Sequence, residues 1–187
     1  MSAPPAGGHG PRPFFNTSGF YLPQQYLESS RNWIATAMQS FAVFAVMLPG
    51  YEALLDTGAQ TGIIGAPALQ KLEKELAKRG LKVQWVDSTP TEASGLGGVA
   101  RLIGAVQVPS ALGGVSGVLE FLVTEQDIPP LLPNGLSLKT RALIDCDNCT
   151  VTWRELNAKS QLRVLPSDHM AVNILDFAPQ GWNPDAL

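Results

Sequence analysis

Between positions 41 and 153, glycine and proline cut the chain into apolar runs of strand length, and one stretch breaks that rhythm with helical spacing. FAVFAVML (41–48) has strand composition, Pro49-Gly50 supplies a turn, and YEALLD (51–56) reads as the returning strand, a hairpin that delivers Asp56 at its end. GIIG (62–65) is a short strand bracketed by glycines. APALQKLEKELAKRG then reads as a helix: Pro67 fits its first turn, Leu69, Leu72 and Leu76 share one face, and Gly80 marks the stop. LKVQWV (81–86) alternates as a strand does. A glycine-rich tip leads into VARLIGAVQVP, Gly113-Gly114 looks like a further turn, and VLEFLVTE (118–125) is another strand. PPLLPNGLSL (129–138) is apolar and turn-rich, and RALIDCDNCTVTW forms a hairpin around Asp147-Asn148. Short strands, glycine turns and one helix predict a mostly β, barrel-like domain.

Length bounds the rest. With 187 residues, 45% of them hydrophobic, the chain suits one globular domain with irregular ends, and two large lobes would be a squeeze. We divide it into a mobile leader rich in Pro, Gly, Ser and Gln (1–31), a domain (32–155) and a tail (156–187). In the tail, HMAVNILDF has strand composition and reads as an interface strand able to pair with another chain. The net charge of −3, without a basic run, does not indicate a nucleic-acid partner. The most lipid-like stretch, IATAMQSFAVFAVML, has 15 residues, short of the roughly 20 that a span needs. MSAPPAGGHGPRP has no apolar signal core. No membrane partner and an intracellular, cytoplasmic setting are the expectations.

Cys146 and Cys149 lie in CDNC. A zinc site takes about four ligands, so one CxxC without a second pair is weak; the cysteines are read first as flanking a turn, with metal or redox use as the lesser reading. No metal or cofactor is expected. His9 and His169 are the only histidines, and no G-x-S-x-G occurs, which disfavours a serine triad.

LLDTGA (54–59) carries the functional signal. Two leucines run straight into an aspartate, although a buried carboxylate is costly without a partner. An Asp-x-Gly surface turn is the plain explanation. The order of LLDTGAQTGIIG, then GLGG (95–98), then ALID, however, resembles the retropepsin-like aspartic proteases of retroviral and retrotransposon polyproteins and of DNA-damage-inducible ubiquitin-shuttle proteins. That resemblance implies a closed-barrel acid-protease fold with one helix after the catalytic loop. It implies an endopeptidase with Asp56 as the catalytic residue, Thr57, Gly58 and Ala59 supporting its loop, and Gly95, Leu96, Gly97 and Gly98 forming a flap over a peptide or polyprotein substrate. Two facing carboxylates share a proton, so one can activate water while the other donates. Only one D-[ST]-G occurs, which implies a homodimer with one Asp56 from each subunit. Derivation from a retrotransposon polyprotein also fits. The chain departs from the family at Leu131-Leu132-Pro133, where proline stands in place of glycine and lacks its freedom of φ. That departure supports the alternative, an inactive protease-like dimerisation or peptide-binding module.

Overall fold

The computed structural model describes residues 47–87, 92–95 and 98–183, with the backbone alone for 92–95, 98 and 99. The expected leader, residues 41–46 of the first strand, and Leu96 and Gly97 of the flap tip lie outside the described residues. In chain order the elements are β1 (Glu52–Asp56), β2 (Ile63–Gly65), α1 (Ala66–Ala77), β3 (Gln84–Val86), β4 (Glu92–Gly95) and β5 (Gly98–Thr124). There follow β6 (Leu131–Pro133), α2 (Asn134–Lys139), β7 (Ala142–Asp145), β8 (Thr150–Trp153), a 3-10 turn (Arg154–Leu156), β9 (Ala158–Val164), β10 (Met170–Asn173) and β11 (Leu175–Phe177).

The fold is mostly β, built on one mixed sheet in the order β11-β5-β2-β6-β1-β10-β9-β8-β7, with β3 and β4 also paired to β5. The path has two ends, and the closed barrel expected from the sequence is not seen among the described residues. β5 is 27 residues long and takes up both the strand after the glycine-rich tip and VLEFLVT (118–124) of the expected VLEFLVTE strand. The turn expected at Gly113-Gly114 is a bend inside this strand, with φ of +55° and +86°. A Cβ on Gly113 would stand 2.6 Å from the Lys159 carbonyl oxygen, so glycine serves both the left-handed backbone and the close approach of β9.

The helix forms where leucine spacing places it. Leu69, Leu72 and Leu76 are buried, Pro67 lies in the first turn, and Gly80 at φ +69° follows the end. Burying each leucine contributes about 1.5–3 kcal/mol relative to exposure. They join Ile64, Val106, Phe121, Leu132 and Trp153 in the main core. α2 was not foreseen: it spans 6 residues, and none of them is buried.

Residues 41–48 are expected as the hairpin partner of 51–56, but most of that strand lies outside the described residues. Among the described residues the neighbours of β1 are β10, antiparallel, and β6, parallel. One sequence expectation needs correction: 156–183 does not lie beyond the domain as a tail, because β10 pairs with β1 and β9, and β11 pairs with β5 of the same chain. Glu52 and Arg163 add to this join. Arg163 Nε donates to Glu52 Oε1 at 3.0 Å, Nη2 donates to Oε2, and the carboxylate holds the guanidinium pKa above its ordinary value.

Candidate active site

β1 begins with buried Glu52, Ala53 and Leu54 and ends with half-buried Leu55 and Asp56, while Thr57 and Gly58 are exposed. The strand therefore carries the chain from the core to a half-buried carboxylate and an exposed loop within a few residues. The sheet fixes it from both sides. On one edge Leu54 stands opposite Ala171 of β10; on the other, Leu54, Leu55 and Asp56 stand opposite Leu131, Leu132 and Pro133 of β6. The Leu54 N–H donates to the Pro130 carbonyl at 2.8 Å, which sets the register just before the loop.

Past the strand the chain turns tightly. Gly58 N–H donates to Asp56 Oδ1 at 2.8 Å, and Ala59 N–H donates to the Asp56 carbonyl at 3.2 Å. Oδ2 makes no hydrogen bond among the described residues. A Cβ on Gly58 would lie 3.2 Å from Oδ1, so a larger residue would displace the carboxylate. The loop is tied down once more, by the Asn134 N–H donating to the Ala59 carbonyl at 3.0 Å. Thus β6 and the start of α2 form the support of the 56–59 loop.

Pro133 stands where the resemblance to retropepsin-like proteases implies a glycine. It takes φ −75° and ψ 156°, inside the range proline adopts, and precedes the first residue of α2. No left-handed backbone is required there, so glycine's freedom is not needed. Pro130 and Asn134 are loop supports that the sequence reading missed. They act through backbone groups, which leave little mark on residue type; the one available signal was proline ahead of a helix.

The structure brings Asp56, Thr57, Gly58 and Ala59 together in one loop. Of the expected flap residues, Gly95 and Gly98 stand opposite each other on a separate ribbon where β4 pairs with β5, while Leu96 and Gly97 lie outside the described residues. Among the described residues no hydrogen bond joins that ribbon to the 56–59 loop. Asp145, the other aspartate after two apolar residues, ends β7 at the far edge of the sheet. His169 is exposed and has Ser167 as its ring partner at 3.0 Å. Among the described residues no three His, Cys, Asp or Glu side chains gather as a metal site, and no helix is long and apolar enough to cross a membrane. No protein-family model matches the chain, and no curated protein matches it.

Proposed function

We propose that the chain is an aspartic endopeptidase that works as a homodimer, with one Asp56 from each subunit at the twofold axis. One observation carries the reading: a central strand ends in a carboxylate with one oxygen held by the Gly58 N–H, next to exposed Thr57 and Gly58. A second copy meeting that exposed loop around a twofold axis would set the two carboxylates face to face. They would then hold one proton between them. The ionised member takes a proton from a bound water as the water oxygen attacks the peptide carbonyl carbon, and the protonated member donates its one proton to the carbonyl oxygen. The member that took the water proton then gives it to the leaving amine as the C–N bond breaks, and the carbonyl re-forms by returning a hydroxyl proton to the other carboxylate.

In this reading Thr57, Gly58 and Ala59 hold the loop. The β4–β5 ribbon, with Gly95 opposite Gly98, folds over an extended peptide or polyprotein segment. The mostly β fold and the single D-T-G accord with descent from a retropepsin-like protease of a retrotransposon polyprotein. The alternative, a protease-like dimerisation or peptide-binding module, rested on Pro133 and on a free tail strand. Pro133 has a backbone conformation suited to proline, and β10 is already paired on both sides.

The test is cleavage of a peptide library from about pH 4 to 7 by wild type and Asp56→Asn, with the oligomeric state recorded on the same samples. Cleavage by the wild-type dimer and none by the folded variant supports the endopeptidase. A folded wild-type dimer that binds peptides and never cleaves them gives the binding module.

A further inference from the structure

We propose that the tip of the β7–β8 hairpin is a reversible dithiol–disulfide site, with Cys146 as the attacking thiol, Cys149 as the resolving thiol and a small-molecule disulfide as the oxidant. The site lies outside the aspartate loop and does not depend on the endopeptidase reading. Asp145 pairs with Thr150, so the two cysteines are the first and last residues of the four-residue turn that this pair closes. Both are free thiols, Cys146 exposed and Cys149 half-buried. Cys149 Sγ lies 3.6 Å from the Cys146 carbonyl oxygen, so its thiol already faces back toward the other cysteine.

The turn is built to hold that arrangement before any bond forms. The Asn148 N–H donates to Asp145 Oδ1 at 3.0 Å and its amide Nδ2 to Oδ2 at 2.7 Å. On the other side the Cys149 carbonyl accepts from Leu162 N–H at 2.7 Å and from Gln161 Nε2 at 2.9 Å. Cys149 adopts φ +49°, a left-handed conformation that a non-glycine residue keeps only when its surroundings hold it. Little chain freedom remains to be lost when the ring closes, and this favours the intrachain disulfide over two mixed disulfides.

The chemistry balances in two exchanges. The Cys146 thiolate attacks one sulfur of the oxidant RSSR, forming a protein–S–SR bond and expelling one RS⁻. The Cys149 thiolate then attacks the Cys146 sulfur, forming the Cys146–Cys149 bond and expelling the second RS⁻. The two protons shed by the cysteines go to the expelled thiolates. Two cysteine thiols are oxidised, and one RSSR is reduced to two RSH.

The chain has 2 cysteines, so the readout is unambiguous. Reduced full-length chain is equilibrated without air in oxidised and reduced glutathione at graded ratios, quenched with an alkylating reagent and weighed by mass spectrometry. The expected result is one two-electron transition from doubly alkylated to unalkylated monomer, with the bridge found in the tryptic peptide 142–154. Cys149→Ser is expected to stop at one mixed disulfide on Cys146. Cys146→Ser is expected to form its mixed disulfide at least tenfold more slowly, because the remaining thiol is half-buried. A wild-type chain that collects two glutathiones, links to a second chain, or stays doubly alkylated in excess oxidised glutathione overturns the proposal. Equal rates for the two single variants overturn the assignment of Cys146 as the attacking thiol.

Discussion

Asp56 and Asp145 each end a strand after two apolar residues, and each accepts a backbone N–H from a residue just ahead in the chain. Their surroundings nevertheless differ in kind. Asp145 ends the outermost strand, and both its oxygens are engaged by Asn148; the amide side chain first, and then the backbone N–H, hold its carboxyl below the usual aspartate range. Asp56 ends a strand with neighbours on both edges, one oxygen is held by Gly58, and Oδ2 makes no hydrogen bond among the described residues. The same local pattern therefore serves two ends. At the sheet edge, Asn148 turns the carboxylate into part of a turn; at the centre, the Gly58 N–H engages only Oδ1, and Oδ2 makes no hydrogen bond among the described residues. The identity of the next few residues and the position in the sheet decide which, and the strand preceding the aspartate does not.

The largest expected effect separates the two aspartates directly. Asp56→Asn should lower peptide cleavage by at least about 10³-fold, whereas Asp145→Asn should leave kcat within about threefold because it acts only within a turn. Steady-state kinetics on the two purified variants checks this, and equal losses would break the comparison. Stability gives the next contrast. Trp153, on β8 and paired with Ala142 of β7, is fully buried and donates Nε1–H to buried Ser160 Oγ at 2.9 Å. Trp153→Ala should cost about 3–5 kcal/mol in denaturant unfolding. Glu52→Gln should cost about 2 kcal/mol in the same measurement, less than for a fully buried pair, because the Arg163 side chain is 44% exposed.

Gly58→Ala sharpens the account of the central site. Its Cβ would meet Asp56 Oδ1 at 3.2 Å and push the carboxylate by a few tenths of an ångström. We expect about a tenfold fall in kcat with an unchanged unfolding midpoint. The smallest effect is at the edge. A carboxyl whose pKa is lowered by folding stabilises the native state above its unfolded pKa, and that stabilisation is lost as pH falls through the folded value. Replacing Asn148 by Ala should therefore lower the unfolding midpoint at pH 7, and the wild-type and variant curves should converge as pH drops below the ordinary aspartate pKa of about 4. A gap that persists in acid would mean that Asn148 acts through something other than the Asp145 carboxylate.

Local chemistry made some of this legible. Leucine spacing marks α1 because amphipathic periodicity is written within a few turns of one segment, and Asp147-Asn148 lies inside the turn between β7 and β8 as its residue types suggest. Strand pairing is a different matter. HMAVNILDF declares itself a strand, but nothing in its residues says that β10 lies against β1 of its own chain, because partner choice depends on contacts more than a hundred positions away. α2 escaped notice because it buries no residue, so no apolar stripe marks it. The loop 56–59 could be found from its motif, whereas its supports at Pro130 and Asn134 could not, since they contribute only backbone groups.

The central claim is that two subunits each supply one Asp56 to a single site, and subunit mixing tests it most directly. Wild type is exchanged with increasing fractions of Asp56→Asn at constant total concentration, and cleavage of one peptide is followed. A shared pair of carboxylates predicts that mixed dimers are inactive, so the rate falls with the square of the wild-type fraction. A rate that falls in simple proportion to that fraction, or a wild type that cleaves nothing, would contradict it.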